Sequence, residues 1–200
     1  MNLPNKISLT RICMIPVFVL VFFLKAIPYN YAIAAGIFLV AAATDFVDGH
    51  IARSRGLVTN LGKFLDPIAD KVLVATAFIL LLAAKEDIFG ELGRFLEIVY
   101  IGVAVCVCII LARELIISAF RQIAATNGIV MAAEKLGKYK TATQDACIFF
   151  LIFAGSFSGT FGRVVLAIGL ILFAAASVLT VISGVSYVWK YRIVLKDTEK

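Results

Sequence analysis

Long apolar runs separated by short polar segments follow one another along the whole chain. Six of these runs approach or exceed the roughly 20 mostly apolar residues that a helix needs to cross a bilayer. They are residues 8–25, 31–53, 63–84, 95–120, 141–158 and 164–189. The pattern predicts an all-α integral membrane protein with six transmembrane helices, formed by one domain over residues 1–200.

The composition agrees with this prediction. Hydrophobic residues make up 62% of the chain and charged residues 16%, whereas soluble domains average about 45–50% and about 25%. The mean hydropathy is +1.01. Such a composition excludes intrinsic disorder, and a soluble fold of 200 residues has too little interior to bury this much apolar surface. The four cysteines lie in apolar runs without a CxxC pair, which is typical of small hydrophobic side chains rather than metal ligands or disulfides.

The distribution of positive charge predicts an orientation in the cell membrane. Fifteen of the nineteen Lys and Arg residues fall on one side of the six-span arrangement. The four on the other side are Lys25, Lys85, Arg94 and Arg163. Because cytoplasmic loops carry the excess of Lys and Arg, both termini and the segments 53–63 and 121–140 are expected in the cytoplasm. The net charge of +6 then reflects topology and attraction to anionic lipid; without a basic face interleaved with aromatic residues, nucleic-acid binding is not expected.

Two pairs of aspartates flank one predicted cytoplasmic connection. Asp45 and Asp48 are three residues apart near the end of the second predicted span, and Asp66 and Asp70 are four apart at the start of the third. Residues at these spacings share a helix face. The short connection 54–61 should bring both pairs to one depth near the cytoplasmic face.

Four carboxylates this close together need compensating charge. Two divalent cations would balance them, and all-oxygen ligation favours Mg²⁺, Mn²⁺ or Ca²⁺ over zinc. Two such ions about 3.5–4 Å apart form the clamp used in phosphoryl transfer. Gly49 and Gly62 remove side chains where a phosphate ester could approach the backbone, and Arg53 is a candidate partner for phosphate or carboxylate.

Read in full, residues 45–70 spell D-x2-D-G-x2-A-R-x8-G-x3-D-x3-D. The fixed positions are Asp45, Asp48, Gly49, Ala52, Arg53, Gly62, Asp66 and Asp70. This pattern resembles the signature of the CDP-alcohol phosphotransferase family, with every position filled. The family is similarly a six-helix membrane protein with cytoplasmic termini, so the resemblance covers most of the chain.

Secondary motifs are similar to those of the bacterial members that use a glycerol phosphate acceptor. They are Asn2 to Asn5 with Thr10, Arg11 and Pro16, then Ala112 to Glu114, and Lys135 to Thr141 with Gln144. The resemblance implies transfer of the phosphatidyl group from CDP-diacylglycerol to sn-glycerol 3-phosphate in the lipid membrane, with release of CMP. It also implies a homodimer.

The resemblance assigns roles to the aspartates and their neighbours. Asp45, Asp48, Asp66 and Asp70 would hold two Mg²⁺ or Mn²⁺ ions, and Asp70 would also be the catalytic base for the acceptor hydroxyl. The implied CDP-diacylglycerol-binding residues are Asn5, Thr10, Gly49, Ala52, Arg53 and Gly62. For Asn5, a helix cap is the competing interpretation.

A second, basic pocket is expected for the acceptor, because glycerol 3-phosphate is itself a dianion. The candidates are Arg113, Lys135 and Lys138, whereas Lys140 is the weakest of the nearby cations and is not included. Arg113 could instead pair with Glu114 or extend to the membrane interface. Lys135 and Lys138 could serve only as topology anchors.

Two alternative functions remain open at this point. One is a related transferase with another acceptor, such as inositol phosphate, since the basic motif favours a phosphorylated acceptor. The other is a divalent-metal transporter in which the four aspartates form the ion site. A transporter site usually lies near the bilayer midplane on broken helices of related repeats, whereas these aspartates are predicted at one membrane face. Release of CMP from CDP-diacylglycerol would distinguish the enzymes from the transporter.

Overall fold

The computed structural model describes residues 3–55, 60–126 and 135–191, and their side chains over 9–44, 68–124 and 136–191. In these ranges all regular structure is helical. The helices are α1 (Leu3–Phe23), α2 (Asn30–Arg55), α3 (Asn60–Ala83), α4 (Lys85–Phe89), α5 (Leu96–Thr126), α6 (Lys135–Ala154) and α7 (Gly159–Lys190). The short α4 continues into a 3₁₀ turn, Gly90–Phe95.

Six long helices, all but α4, coincide with the six apolar runs, so the prediction of an all-helical fold is confirmed. The largest difference is at α6, which occupies Lys135–Ala154 where the sequence predicted 141–158. Apolarity marks only the part of a helix that meets lipid or core, whereas Lys135 to Lys140 continue the same helix through a polar stretch. The helix ends before a turn in which Gly155 and Ser156 donate to carbonyls of its last turn.

Much of the apolar surface of the helices remains uncovered by protein. Within the described residues, two helical stretches are long and apolar enough to cross a membrane, Lys85–Ala124 and Gly159–Lys190. Only 22% and 33% of their most apolar windows are buried inside the protein. Shorter apolar helical stretches cover Leu9–Phe23 and Asn30–Thr44. Exposed apolar area on this scale requires apolar surroundings, as expected for a membrane protein.

Aromatic and branched side chains form the core between the helices. Phe18 and Phe22 of α1 pack against each other with ring centroids 6.3 Å apart, and Phe18 lies 6.0 Å from Phe38 of α2. Helices α6 and α7 approach closely at Gly169, where an added Cβ would lie 2.8 Å from Cδ2 of Leu151. Close packing of this kind fixes how each helix is rotated about its axis.

Lys25, in the turn between α1 and α2, and Asp87 of α4 belong to one polar layer at one end of the helices, which we call the distal end. The Tyr31 hydroxyl donates to Asp87 Oδ2 at 2.7 Å, and Lys25 Nζ lies 3.0 Å from the same oxygen. The Ser156 hydroxyl accepts the backbone N–H of Ala32 at 2.8 Å. These contacts connect the α1–α2 turn, α4 and the α6–α7 turn.

The distal end also holds the other three Lys and Arg residues that the charge distribution placed on the less positive side of the membrane. Lys85 forms an ion pair with Glu97, Arg163 lies 3.7 Å from Glu91, and Arg94 lies in the 3₁₀ turn. Glu91 also accepts the backbone N–H of Gly159 at 3.0 Å. The four cations that the sequence assigned to one side therefore occur together at one end of the helices.

The contacts of Asp87 should make the thermal stability of the protein depend on pH. Asp87 lies in the connection between the predicted spans 63–84 and 95–120, and the Tyr31 hydrogen bond, together with Lys25, lowers the pKa of its carboxyl below the usual range. Its stabilising contribution should be fully present above the unfolded-state pKa of about 4 and lost as the pH falls through the lower folded-state pKa. We expect Asp87→Asn to lower the thermal midpoint in detergent by about 2–4 °C between pH 8 and pH 5.

The difference between wild type and Asp87→Asn should then shrink below about pH 4. Glu86→Gln is the matched control, because Glu86 is an exposed acid of the same helix that lies 3.9 Å from Lys85 Nζ. A difference that disappears between pH 8 and pH 6 would contradict this account of Asp87.

Candidate active site

The aspartate signature occupies the facing ends of two consecutive helices. Asp45 and Asp48 lie in the last three turns of α2, and Asp66 and Asp70 lie in the first three turns of α3. Helical backbone at all four positions places each pair on one helix face, as the spacing predicted. Because α2 ends at Arg55 and α3 begins at Asn60, the two pairs flank a very short connection.

The described side chains include only one member of the signature, Asp70. Nine further predicted site residues lie in helical backbone, but their side chains fall outside the described residues. These positions are Asn5 in α1; Asp45, Asp48, Gly49, Ala52 and Arg53 in α2; Gly62 and Asp66 in α3; and Lys135 at the start of α6. Their predicted roles remain predictions.

Asp70 opens onto a cavity between α3, α5 and α6. The cavity has a volume of about 150 Å³. Its apolar walls are Val74, Ala75, Leu111 and Leu115, and its polar lining is Asp70, Lys71, Glu114, Lys140, Thr141 and Gln144. A signature carboxylate therefore faces a space that contains further charged and hydrogen-bonding groups.

Glu114 is the half-buried carboxylate on the α5 side of the cavity. Arg113 Nη1 donates to its Oε1 at 3.0 Å, and Lys140 Nζ of α6 donates to the same oxygen. Lys140 is only 4% exposed. A charge removed from water in this way needs compensation by opposite charge, so the contact fixes α5 against α6 beside the cavity.

Arg113 connects this ion pair to α7. Its Nη2 donates to the Ser183 hydroxyl at 3.0 Å, and the next residue of α7 is Gly184. A Cβ at Gly184 would lie 3.0 Å from Cγ of Arg113, so the glycine leaves room for the arginine side chain. The structure therefore contains the Arg113–Glu114 pair that the sequence left open as an alternative. The predicted contact of Arg113 with the acceptor stays a prediction.

The lysines of the basic motif point in different directions. Lys138 is exposed, whereas Lys140 is buried and lines the cavity. Two residues along a helix correspond to about 200° of rotation, which explains the contrast. Lys140 was not among the acceptor-binding residues predicted from the sequence. This lysine nevertheless lies in the same buried stripe of α6 as Gln144, Cys147 and Leu151. That helical spacing is the signal that could have identified it.

Arg11 holds α1 against α2 immediately before the first aspartate pair. Its side chain is only 1% exposed. Its Nε lies 3.1 Å from the Ala41 carbonyl oxygen and 3.3 Å from the Thr44 hydroxyl oxygen, next in sequence to Asp45. Thr10, a predicted substrate contact, is exposed on the neighbouring position of α1. Arg11 therefore positions the part of α2 that leads into the signature.

The donor chemistry of the signature fits hard divalent cations. Among the side chains that the structure describes, no three His, Cys, Asp or Glu residues form a cluster suited to a metal, and three of the four signature aspartates lie outside that set. Four carboxylates from two helices would supply oxygen ligands, which Mg²⁺ and Mn²⁺ prefer.

The fold and site define a helical membrane protein with a polar cavity beside a carboxylate signature at one end of its helices. The chain belongs to the CDP-alcohol phosphatidyltransferase family, which it matches over residues 1–188. The family resemblance drawn from residues 45–70 is thereby confirmed.

Three relatives illustrate which members of the family the chain is similar to. Each carries the name CDP-diacylglycerol–glycerol-3-phosphate 3-phosphatidyltransferase. The relative from Rickettsia typhi (strain ATCC VR-144 / Wilmington) is 37% identical over 186 residues, which cover 93% of this chain and 94% of the relative. That from Shigella flexneri serotype 5b (strain 8401) is 36% identical over 198 residues, 98% of each chain. That from Bacillus subtilis (strain 168) is 37% identical over 162 residues, 76% of each chain.

A double-mutant cycle can measure the coupling between Glu114 and Lys140. We expect Glu114→Gln and Lys140→Met to be non-additive, with a coupling of about 1–3 kcal/mol in the free energy of unfolding, because each single variant leaves the other charge less compensated. The cycle is read from unfolding in detergent. The control replaces Lys140→Met with Lys138→Met, an exposed lysine of the same helix, and should show no coupling. Additivity in both cycles would mean that the buried pair does not stabilise the fold.

Proposed function

We propose that this chain transfers the phosphatidyl group of CDP-diacylglycerol to sn-glycerol 3-phosphate, which yields phosphatidylglycerophosphate and CMP. The observation that carries the proposal is the similarity of nearly the whole chain to relatives named for this reaction. The complete signature in α2 and α3 and the family match support it.

The reaction requires one proton transfer and one exchange of phosphoester bonds. The 1-hydroxyl oxygen of glycerol 3-phosphate attacks the phosphorus that bears diacylglycerol. A new O–P bond forms, the bond from this phosphorus to the bridging oxygen breaks, and CMP leaves with the electron pair. The hydroxyl proton passes to a carboxylate, and we assign this role to Asp70 because its side chain faces the cavity.

The residues of α2 and α3 would bind and orient the donor. Asp45, Asp48, Asp66 and Asp70 would hold Mg²⁺ or Mn²⁺. When bound, these ions neutralise the pyrophosphate and the charge that develops on the leaving CMP. The proposed contacts to CDP-diacylglycerol are Asn5, Thr10, Gly49, Ala52, Arg53 and Gly62. Small residues at three of these positions would allow the backbone to approach a phosphate closely.

The acceptor would bind in the cavity that Asp70 lines. Arg113, Lys135 and Lys138 are the proposed cations for its 3-phosphate, and we add Lys140 because this lysine lines the cavity. Arg113 and Lys140 already compensate Glu114, so they contribute a net positive charge of one to this region. Lys135 and Lys138 would supply the remainder.

We further propose six membrane crossings with both termini and the signature on the cytoplasmic side of the cell membrane. The uneven distribution of Lys and Arg supports this orientation, and so does the occurrence of Lys25, Lys85, Arg94 and Arg163 at the distal end. Glycerol 3-phosphate is water-soluble, so a cytoplasmic cavity gives it access from the compartment that supplies it. The proposed homodimer rests on the family resemblance.

The activity is tested with purified protein, CDP-diacylglycerol, Mg²⁺ and radiolabelled acceptors. The proposal predicts equimolar CMP and labelled phosphatidylglycerophosphate with glycerol 3-phosphate. Turnover with inositol phosphate instead would assign another acceptor. No CMP release, combined with metal uptake into proteoliposomes, would identify a transporter and contradict the proposal.

The signature aspartates should be intolerant of isosteric change. Asp48→Asn keeps the size of the side chain but removes one negative charge from the proposed metal site, so we expect kcat to fall by about 100-fold or more. Thermal unfolding in detergent checks that the variant is folded. Asp87→Asn at the distal end is the matched control and should retain turnover. Near wild-type activity at saturating Mn²⁺ in Asp45→Asn, Asp48→Asn and Asp66→Asn alike would exclude the two-metal site.

Replacing the lysines proposed to bind the acceptor should change the KM for one substrate only. Lys135→Ala and Lys138→Ala should each raise the KM for glycerol 3-phosphate about 10- to 100-fold, the effect of losing one charged contact to phosphate. The KM for CDP-diacylglycerol should stay within about threefold, because the contact belongs to the other substrate. Lys25→Ala at the distal end controls for the loss of a surface charge. A rise in the donor KM alone would move these lysines to the nucleotide or lipid site.

A further inference from the structure

Gln144 carries a buried polar atom that the fold leaves unused. Its side chain is only 2% exposed and lines the same cavity as Asp70. Its Oε1 is buried and has no hydrogen-bond partner among the residues that the structure describes. An amide oxygen accepts up to two hydrogen bonds, and a buried acceptor without a donor is disfavoured. A donor arriving in the cavity would therefore bind favourably at this atom.

The neighbouring donors on α6 are already engaged. Lys140, one turn earlier, donates to Glu114. The Thr141 hydroxyl donates to the Gly137 carbonyl oxygen at 3.1 Å. On the following turn, the Cys147 thiol donates to the backbone oxygen of Gln144 rather than to its side chain. No described group donates to Oε1, and a molecule bound in the cavity would supply a donor.

The chemistry of the proposed acceptor supplies one suitable donor. Glycerol 3-phosphate in its dianionic form has two O–H groups, at carbons 1 and 2. The 1-hydroxyl gives its proton to Asp70 in the reaction proposed above, so the 2-hydroxyl is the donor that remains.

We infer that Gln144 accepts a hydrogen bond from the 2-hydroxyl of glycerol 3-phosphate and thereby selects the acceptor and orients its 1-hydroxyl toward Asp70. The inference rests on the proposed function. It makes Gln144 a specificity-determining residue that touches the substrate.

Selection through the 2-hydroxyl predicts different kcat/KM values for acceptors with and without this group. A site built to bind a hydroxyl rejects the analogue that lacks it, because the buried partner is then left unpaired. The analogue is 3-hydroxypropyl phosphate, which keeps the attacking hydroxyl and the phosphate but has no 2-hydroxyl. Wild-type protein should use it with a kcat/KM about 10- to 100-fold lower than that for glycerol 3-phosphate.

The test measures kcat/KM for both acceptors in wild type and Gln144→Met, whose side chain has a similar length but no amide oxygen. We expect Gln144→Met to lose about 10- to 100-fold with glycerol 3-phosphate and to stay within about threefold of wild type with 3-hydroxypropyl phosphate. Gln122→Met, on an exposed position of α5, is the matched control and should change neither value.

Three results would overturn the inference. An equal loss with both acceptors would show a structural role for Gln144, and no loss with either would show that water satisfies its oxygen. If Gln144→Met does not fold, the wild-type comparison decides, because equal use of both acceptors contradicts selection through the 2-hydroxyl. Failure of the proposed function is distinct, since wild type would then release no CMP with glycerol 3-phosphate.

Discussion

A carboxylate enclosed by apolar helices must be compensated by positive charge. Glu114 is such a carboxylate, and it lies at the end of the protein that holds the signature. Lys140 reaches it from α6, and Arg113 joins it to Ser183 of α7. Three helices are thereby fixed in rotation as well as in distance. Glu114 and Lys140 of this ion-paired cluster also line the cavity beside Asp70.

The two ends of the molecule differ in how far their charged side chains are buried. At the distal end, Asp87 and Glu91 are partly exposed acids that tie turns together, so their contacts stabilise the fold without enclosing a site. At the other end, Arg11 ties α1 to α2 directly before Asp45. Helices α1, α2 and α3 would carry the proposed donor-binding residues, whereas α5 and α6 would line the proposed acceptor cavity. Asp70 of α3 lines that cavity as well, which suits the proton transfer proposed for it.

The apolar runs predicted the six long helices well, because the length of an apolar stretch is set by the bilayer or the core that covers it. The aspartate spacing also predicted correctly which residues lie on helix ends. The rotation of α6 was harder to foresee. Lys138 and Lys140 are equivalent by composition, and only the packing of α6 against its neighbours, chiefly α7 and α2, decides that Lys140 faces inward. The pairing of Arg113 with Glu114 remained one of several options for the same reason, and α4 was missed because five residues give no periodic signal.

We propose the cavity between α3, α5 and α6 as the acceptor site, and an experimental structure with Mn²⁺ and glycerol 3-phosphate is the sharpest test of this assignment. We expect density for the acceptor within the cavity, with one hydroxyl against Asp70 and the other against Gln144, and an anomalous signal at the carboxylates of α2 and α3. Acceptor density elsewhere, with a lipid chain in the cavity, would contradict it.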